Sequence, residues 1–164
     1  VGEKIEMTKD ELFKQAVEIT LQFEGGYSNN PLDKGGETNF GISKKSWPDI
    51  DIKNLTKEKA IEIYKQYYWD GTIASMVDDD ETAMKIFDLG VQMGLNGVKH
   101  RIEDVIGPAD DETNEEIAHA INTMGPEDFL PEFEAVCADY YEQRVIDDPK
   151  DNVWLGGWLK RVYY

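Results

Sequence analysis

The stretch Glu24-Gly25-Gly26-Tyr27-Ser28-Asn29-Asn30-Pro31-Leu32-Asp33-Lys34-Gly35-Gly36-Glu37-Thr38-Asn39-Phe40-Gly41-Ile42-Ser43 is dense in Gly, Asn, Asp and Pro, the composition of turns or of a short irregular hairpin. It is the only plausible strand region of the chain. Just before it, Thr8-Lys9-Asp10-Glu11 has capping-box spacing, and Leu12, Phe13, Ala16, Val17, Leu21 and Phe23 follow at mostly helical intervals. Lys9–Glu24 therefore reads as an amphipathic helix that Gly25-Gly26 terminates. Beyond the stretch the chain reads as helical to its end. A short piece at Ser43–Trp47 is stopped by Pro48, and Lys57–Trp69 follows a candidate cap at Thr56. Asp80–Met93 and Leu95–Ile106 come next, then Ile117–Met124 behind a second capping box at Thr113-Asn-Glu-Glu116. Glu127–Ile146 carries Pro131 within about its first turn. Val153–Tyr163 contains Gly156-Gly157, which suits a helix only if the pair lets two helices pack closely. The reading is a mainly α protein with one polar loop or hairpin after the first helix, and Gly107–Thr113 is the best candidate seam between lobes.

The 164 residues suffice for one domain, or two small lobes, with a real core. Seventeen Lys and Arg against 34 Asp and Glu leave a formal charge of −17, which argues against unaided binding to nucleic acid or to an anionic membrane. An apolar content of 40% with 11% aromatics is too rich for a disordered acidic chain. A single cysteine, Cys137, excludes an internal disulfide and, with only two histidines, a Cys-rich zinc site. No segment has the length and apolarity of a membrane span, and no signal peptide is visible at the start of the sequence.

Chemistry points to the opening stretch. Glu24 follows Phe23 on the last helical turn, where the negative end of the helix dipole and an apolar neighbour both disfavour the ionised carboxyl. A carboxyl group kept protonated can serve as a general acid. The bland alternative is an ordinary glutamate before a glycine C-cap. Asp33 lies nine residues on and Thr38 five beyond that, in the same loop. Two carboxyls in unlike environments are what glycoside hydrolysis needs, and a hydroxyl can position the water. Asp33 can equally be read as a turn residue bonding its own backbone. Tyr27 and Trp47 offer aromatic faces, and Asn29 and Asn30 amide groups, for a glycan. The other aromatics, among them Tyr64, Tyr67, Tyr68 and Trp69, have the spacing of core residues. Val77-Asp-Asp-Asp-Glu81 lacks the ligand alternation and glycine of a calcium loop and reads as a solvated helix start.

Glu24-Gly-Gly-Tyr27-Ser-Asn-Asn-Pro31 followed by Asp33-Lys-Gly-Gly36-Glu-Thr38-Asn-Phe-Gly41-Ile42-Ser43 resembles the signature of glycoside hydrolase family 108. This is a group of lysozyme-like muramidases, found as phage endolysins and as bacterial proteins first labelled secretion activators. The resemblance continues through Asn54-Leu-Thr56, Ile63-Tyr64, Tyr68-Trp69-Asp70, Phe87-Asp88 and Val91-Gln92-Met-Gly94. Gly157-Trp158-Leu-Lys-Arg161 resembles the end of the family's accessory region, described as peptidoglycan-binding.

The resemblance implies a lysozyme-like helical fold and cleavage of the β-1,4 bond between N-acetylmuramic acid and N-acetylglucosamine in bacterial cell wall. It implies Glu24 as acid, with Asp33 as second carboxylate and Thr38 as water-positioning group; Tyr27, Asn29, Asn30, Trp47 and Gln92 are the expected glycan contacts. The expected organisation is a lysozyme-like region over 1–106 and an accessory helical region over 107–164, packed together. A monomer acting on the wall is expected, from the periplasm or through a phage holin, with no metal, cofactor or nucleic acid. The alternative is a non-hydrolytic wall-binding or secretion-assisting protein.

Overall fold

Thr8 accepts from the Glu11 amide at 3.2 Å while the Glu11 carboxylate accepts from the Thr8 amide at 3.0 Å, a closed capping box that starts helix α1 (Lys9–Phe23). The computed structural model describes Gly2, residues 5–32 and residues 34–164. A short antiparallel hairpin follows, β1 (Thr38–Asn39) and β2 (Ile42–Ser43), in the register Thr38 to Ser43 and Asn39 to Ile42. Helix α2 (Lys57–Tyr64), capped by Thr56, runs directly into a π-helical turn over Lys65–Trp69. The remaining helices are α3 (Ile73–Met76), α4 (Asp80–Met93), α5 (Leu95–Ile106), α6 (Asn114–Met124), α7 (Pro126–Asp147) and α8 (Asn152–Val162), with a 3₁₀ turn at Pro149–Asp151 before the last. The protein is thus mainly α with one short hairpin after its first helix, as the sequence implies.

By packing, the chain divides into residues 1–70 and 71–164. In the first unit, α1 buries Leu12, Phe13, Ala16 and Val17, and the rest of the core comes from Ile42, Ile52, Leu55, Ala60, Ile63, Tyr64 and Trp69. Phe13 and Trp69 meet with ring centroids 5.7 Å apart. Lys65 brackets the same place, its ammonium 2.7 Å from Asp70 and 3.4 Å from Asp10. In the second unit α4 packs on α5, α5 on α7, and α7 on α8. Phe129 and Phe133 are fully buried and stacked at 5.1 Å. Burying such a side chain stabilises by roughly 2–3 kcal/mol. The boundary expected at Ile106 falls inside this second unit, because α5 and α7, on either side of it, share one core.

Several local expectations change. Ser43–Trp47 is not a helix, since Ser43 is committed to β2 and only one helical-type bond, from the Trp47 amide to the Ser43 carbonyl at 2.9 Å, forms before Pro48. Lys57–Trp69 is two forms of helix rather than one, and α3 has no counterpart in the spacing. Pro131 sits in the second turn of α7, where its missing N–H forfeits one internal bond. Gly156 and Gly157 do not serve close packing, since a Cβ at either would meet nothing within 4 Å. α8 is held by other contacts. Trp158 stacks on Tyr141 at 5.0 Å and lies under the Arg144 guanidinium at 4.8 Å. Arg161, buried, binds both oxygens of the Asp88 carboxylate, Nε at 2.8 Å and Nη2 at 3.0 Å. Asp79, from the acidic run, caps α4 by accepting from the Thr82 amide at 2.9 Å. Cys137 is buried, and burial pushes its thiol up to about 12. Among the described residues no helix is long and apolar enough to cross a membrane.

Candidate active site

The low helical propensity of Gly25-Gly26 stops α1 at Phe23. Glu24 is the capping residue, with extended backbone (φ −84°, ψ 134°) and its amide still bonded to the Thr20 carbonyl at 3.2 Å. Its side chain is half-buried and therefore leaves the helix at the point where the chain turns into the polar loop.

The hairpin is the other wall. Asn39 and Ile42 flank a two-residue turn in which both Phe40 (φ 51°) and Gly41 (φ 76°) are left-handed, the combination of a type I′ turn. Phe40 is the only non-glycine residue with positive φ among the described residues, and the conformation is held from outside: the hydroxyl of fully buried Tyr64 donates to the Phe40 carbonyl at 2.6 Å. Gly41 lies against Glu24. A Cβ built there would sit 2.7 Å from both Cγ and Cδ of Glu24 and 2.5 Å from the Tyr64 hydroxyl, so the side chain of Glu24 occupies space that any other residue at 41 would fill.

Thr38 exchanges both backbone hydrogen bonds with Ser28 at 2.8 Å and is also the cross-strand neighbour of Ser43. Paired residues of antiparallel strands share a face, so Ser28, Thr38 and Ser43 form one row of hydroxyl side chains. Asn39 and Ile42 take the opposite face, in the core, where the Asn39 amide donates to the Ile52 carbonyl at 3.0 Å.

Of the other residues singled out by sequence, Tyr27 is half-exposed and donates to Glu37 at 2.9 Å; that bond above all raises its phenol from the ordinary range. Asn29 and Asn30 are exposed, and the Asn30 side chain is engaged in its own turn, accepting from the Leu32 amide at 2.9 Å. Trp47 packs edge-on to Tyr67 with centroids 4.6 Å apart and hydrogen bonds Tyr68, whose own hydroxyl is raised chiefly by burial. Gln92 belongs to α4 in the second unit, where its buried Oε1 has no hydrogen-bond partner among the described residues. Asp33 lies outside the described residues. The structure thus brings Glu24, Tyr27 and Thr38 onto one helix end and hairpin. Sequence reasoning gave Tyr64 and Gly41 no part in the site beyond their place in the resemblance. The Phe-Gly pair between short extended segments was a usable signal for the turn. Nothing in the spacing distinguished Tyr64 from an ordinary core aromatic.

A first helix that ends against a short hairpin in an otherwise helical protein is the arrangement of a lysozyme-like fold. Residues 17–94 match the sequence profile of the glycosyl hydrolase 108 family. The match spans Glu24, Thr38, Tyr64 and Gln92. Among solved structures the fold is similar to that described as the structure of Brucella abortus SagA, with a TM-score of 0.72, 22% identity, and coverage of 92% of this chain and 89% of that one. No protein with a curated description matches.

Proposed function

We propose that this protein is a peptidoglycan hydrolase, an endolysin-like N-acetylmuramidase that cuts the β-1,4 bond between N-acetylmuramic acid and N-acetylglucosamine. The observation that carries the reading is the placement of Glu24, a half-buried carboxyl fixed at a helix end against the bare backbone of Gly41. In this mechanism the Glu24 carboxyl gives its proton to the glycosidic oxygen as the bond from that oxygen to C1 of the muramic acid breaks. The sugar left behind passes through an oxocarbenium-like state that a second carboxylate stabilises or relieves by activating water. Asp33 takes that part, and Thr38, in the hydroxyl row beside the turn, orients the water that completes the hydrolysis at C1. Tyr27, Asn29, Asn30, Trp47 and Gln92 are the proposed glycan contacts. The site of action is the cell wall, reached through the periplasm or a phage holin, with the helices after residue 106 assisting attachment to it.

Purified sacculi test this directly. Digestion is expected to release new reducing ends that borohydride converts to muramitol. Glucosaminitol would identify the opposite bond, and tight binding without new reducing ends would favour a wall-binding protein over an enzyme.

The charge of −17 makes a second test. Peptide stems carry carboxylates, so long-range repulsion opposes encounter with the wall. The Debye length falls from about 30 Å at 0.01 M salt to about 8 Å at 0.15 M. The rate on sacculi is therefore expected to rise with salt across that interval, chiefly in kcat/KM, because screening acts on encounter rather than on bond cleavage. A rate that falls from the lowest salt upward would instead show that Lys34, Lys44 and Lys45 make a local attractive patch that outweighs the global charge.

A further inference from the structure

We infer that Tyr64 is a positioning residue for the acid, acting through the Phe40-Gly41 turn; this rests on Glu24 being that acid. The observations are geometric. Tyr64 closes α2 immediately before the π-helical turn, and it is fully buried, so its ring has one placement. Its single hydroxyl proton goes to the Phe40 carbonyl, which can only accept, at 2.6 Å. That bond pins the one non-glycine residue held in the left-handed region among those described, a conformation that a bulky aromatic residue adopts at a cost. The next residue, Gly41, is where the turn touches Glu24. The hydroxyl of Tyr64 and the carboxyl-bearing carbons of Glu24 border the same methyl-sized space, from which a Cβ would be 2.5 Å and 2.7 Å distant. The turn, the hydroxyl and the acid are therefore one packed unit. A turn that relaxes moves Gly41, and the carboxyl loses the surface that fixes it.

A general acid must lie within hydrogen-bond reach of the oxygen it protonates, and a displacement of about 1 Å can cost on the order of a hundredfold in rate. Tyr64→Phe keeps the ring and the packing and removes only the bond to the turn. It is expected to lower kcat on sacculi by roughly tenfold to a hundredfold, with KM nearly unchanged, since the glycan contacts are left in place. The decisive comparison repeats the substitution in a Glu24→Asp background, where the shortened side chain no longer rests against Gly41. There Tyr64→Phe is expected to change kcat by less than about twofold, because residues that act through one another are not additive.

An equal loss in both backgrounds would make Tyr64 an ordinary structural residue and overturn the inference, as would full activity of Tyr64→Phe in the parent. Glu24→Gln is assayed alongside: if it lyses sacculi like the parent, the assignment of the acid has failed, and not merely that of its support. Should Tyr64→Phe fail to fold, proton contacts in the parent protein still decide. Nuclear Overhauser effects between the Tyr64 ring and the Glu24 side-chain methylenes are expected, and their absence would overturn the proposal.

Discussion

Glu24→Gln is expected to fold like the parent and to lose its lytic activity by several orders of magnitude. Glutamine is nearly isosteric, so it fills the space against Gly41 that Glu24 fills, and the helix end that follows Thr20 is undisturbed. What it cannot do is release a proton to a departing sugar oxygen. General acid–base assistance is worth about 10²–10⁴-fold, and this sets a floor, because without it the alkoxide must leave unprotonated. Matched circular dichroism together with reducing-end release measures both halves of the expectation. Undiminished lysis with an intact fold would remove Glu24 from the mechanism. Reduced stability with undiminished lysis would return it to the role of a simple helix cap.

Arg161→Met is expected to destabilise the protein by about 3–5 kcal/mol, the usual consequence of removing one member of a buried ion pair. Arg161 and Asp88 have side chains 6% and 9% exposed, so losing the guanidinium leaves a carboxylate that water cannot properly solvate. The pair also joins α8 to α4, next to the buried ammonium of Lys85, which donates to the Val162 carbonyl at 2.6 Å. Denaturant unfolding followed by the fluorescence of Trp154 and Trp158 reads the loss. The double variant Asp88→Leu with Arg161→Met should recover much of it, since a well-packed apolar pair can replace a buried ionic one at little net cost. A single-variant loss below about 1 kcal/mol would mean that the pair behaves as a surface contact.

Asp88 also illustrates what sequence could and could not deliver. It belongs to the Phe87-Asp88 pair of the resemblance, and the structure gives both of its oxygens to an arginine 73 residues away. Helices marked by two agreeing signals were legible. Thr8, Thr56 and Thr113 all cap as their spacing implies, and each starts a helix with a regular apolar face. The π-helical turn at Lys65–Trp69 was not, because it is fixed by partners such as Phe13, Asp10 and Trp47 rather than by local preference. Glu24 and the hydroxyl of Thr38 were visible in the loop composition. The support under them was hidden, because Tyr64 meets it through a backbone carbonyl, which leaves no trace in residue identity.

The packing division after Asp70 has a consequence for how this protein could be cut or recombined. The family match ends at Gly94, between two helices that pack on each other. A fragment stopping there would bare Ile86, Phe87 and Leu89 and strand Asp88 without its arginine. One stopping at Ile106 would strip Val98 and Ile102 of α7. The segment that matches the profile is therefore not a folding segment. Chimaeras should keep the chain whole from Gly71 onward, or exchange only the first seventy residues, where Glu24, the hairpin and Tyr64 already lie in one unit.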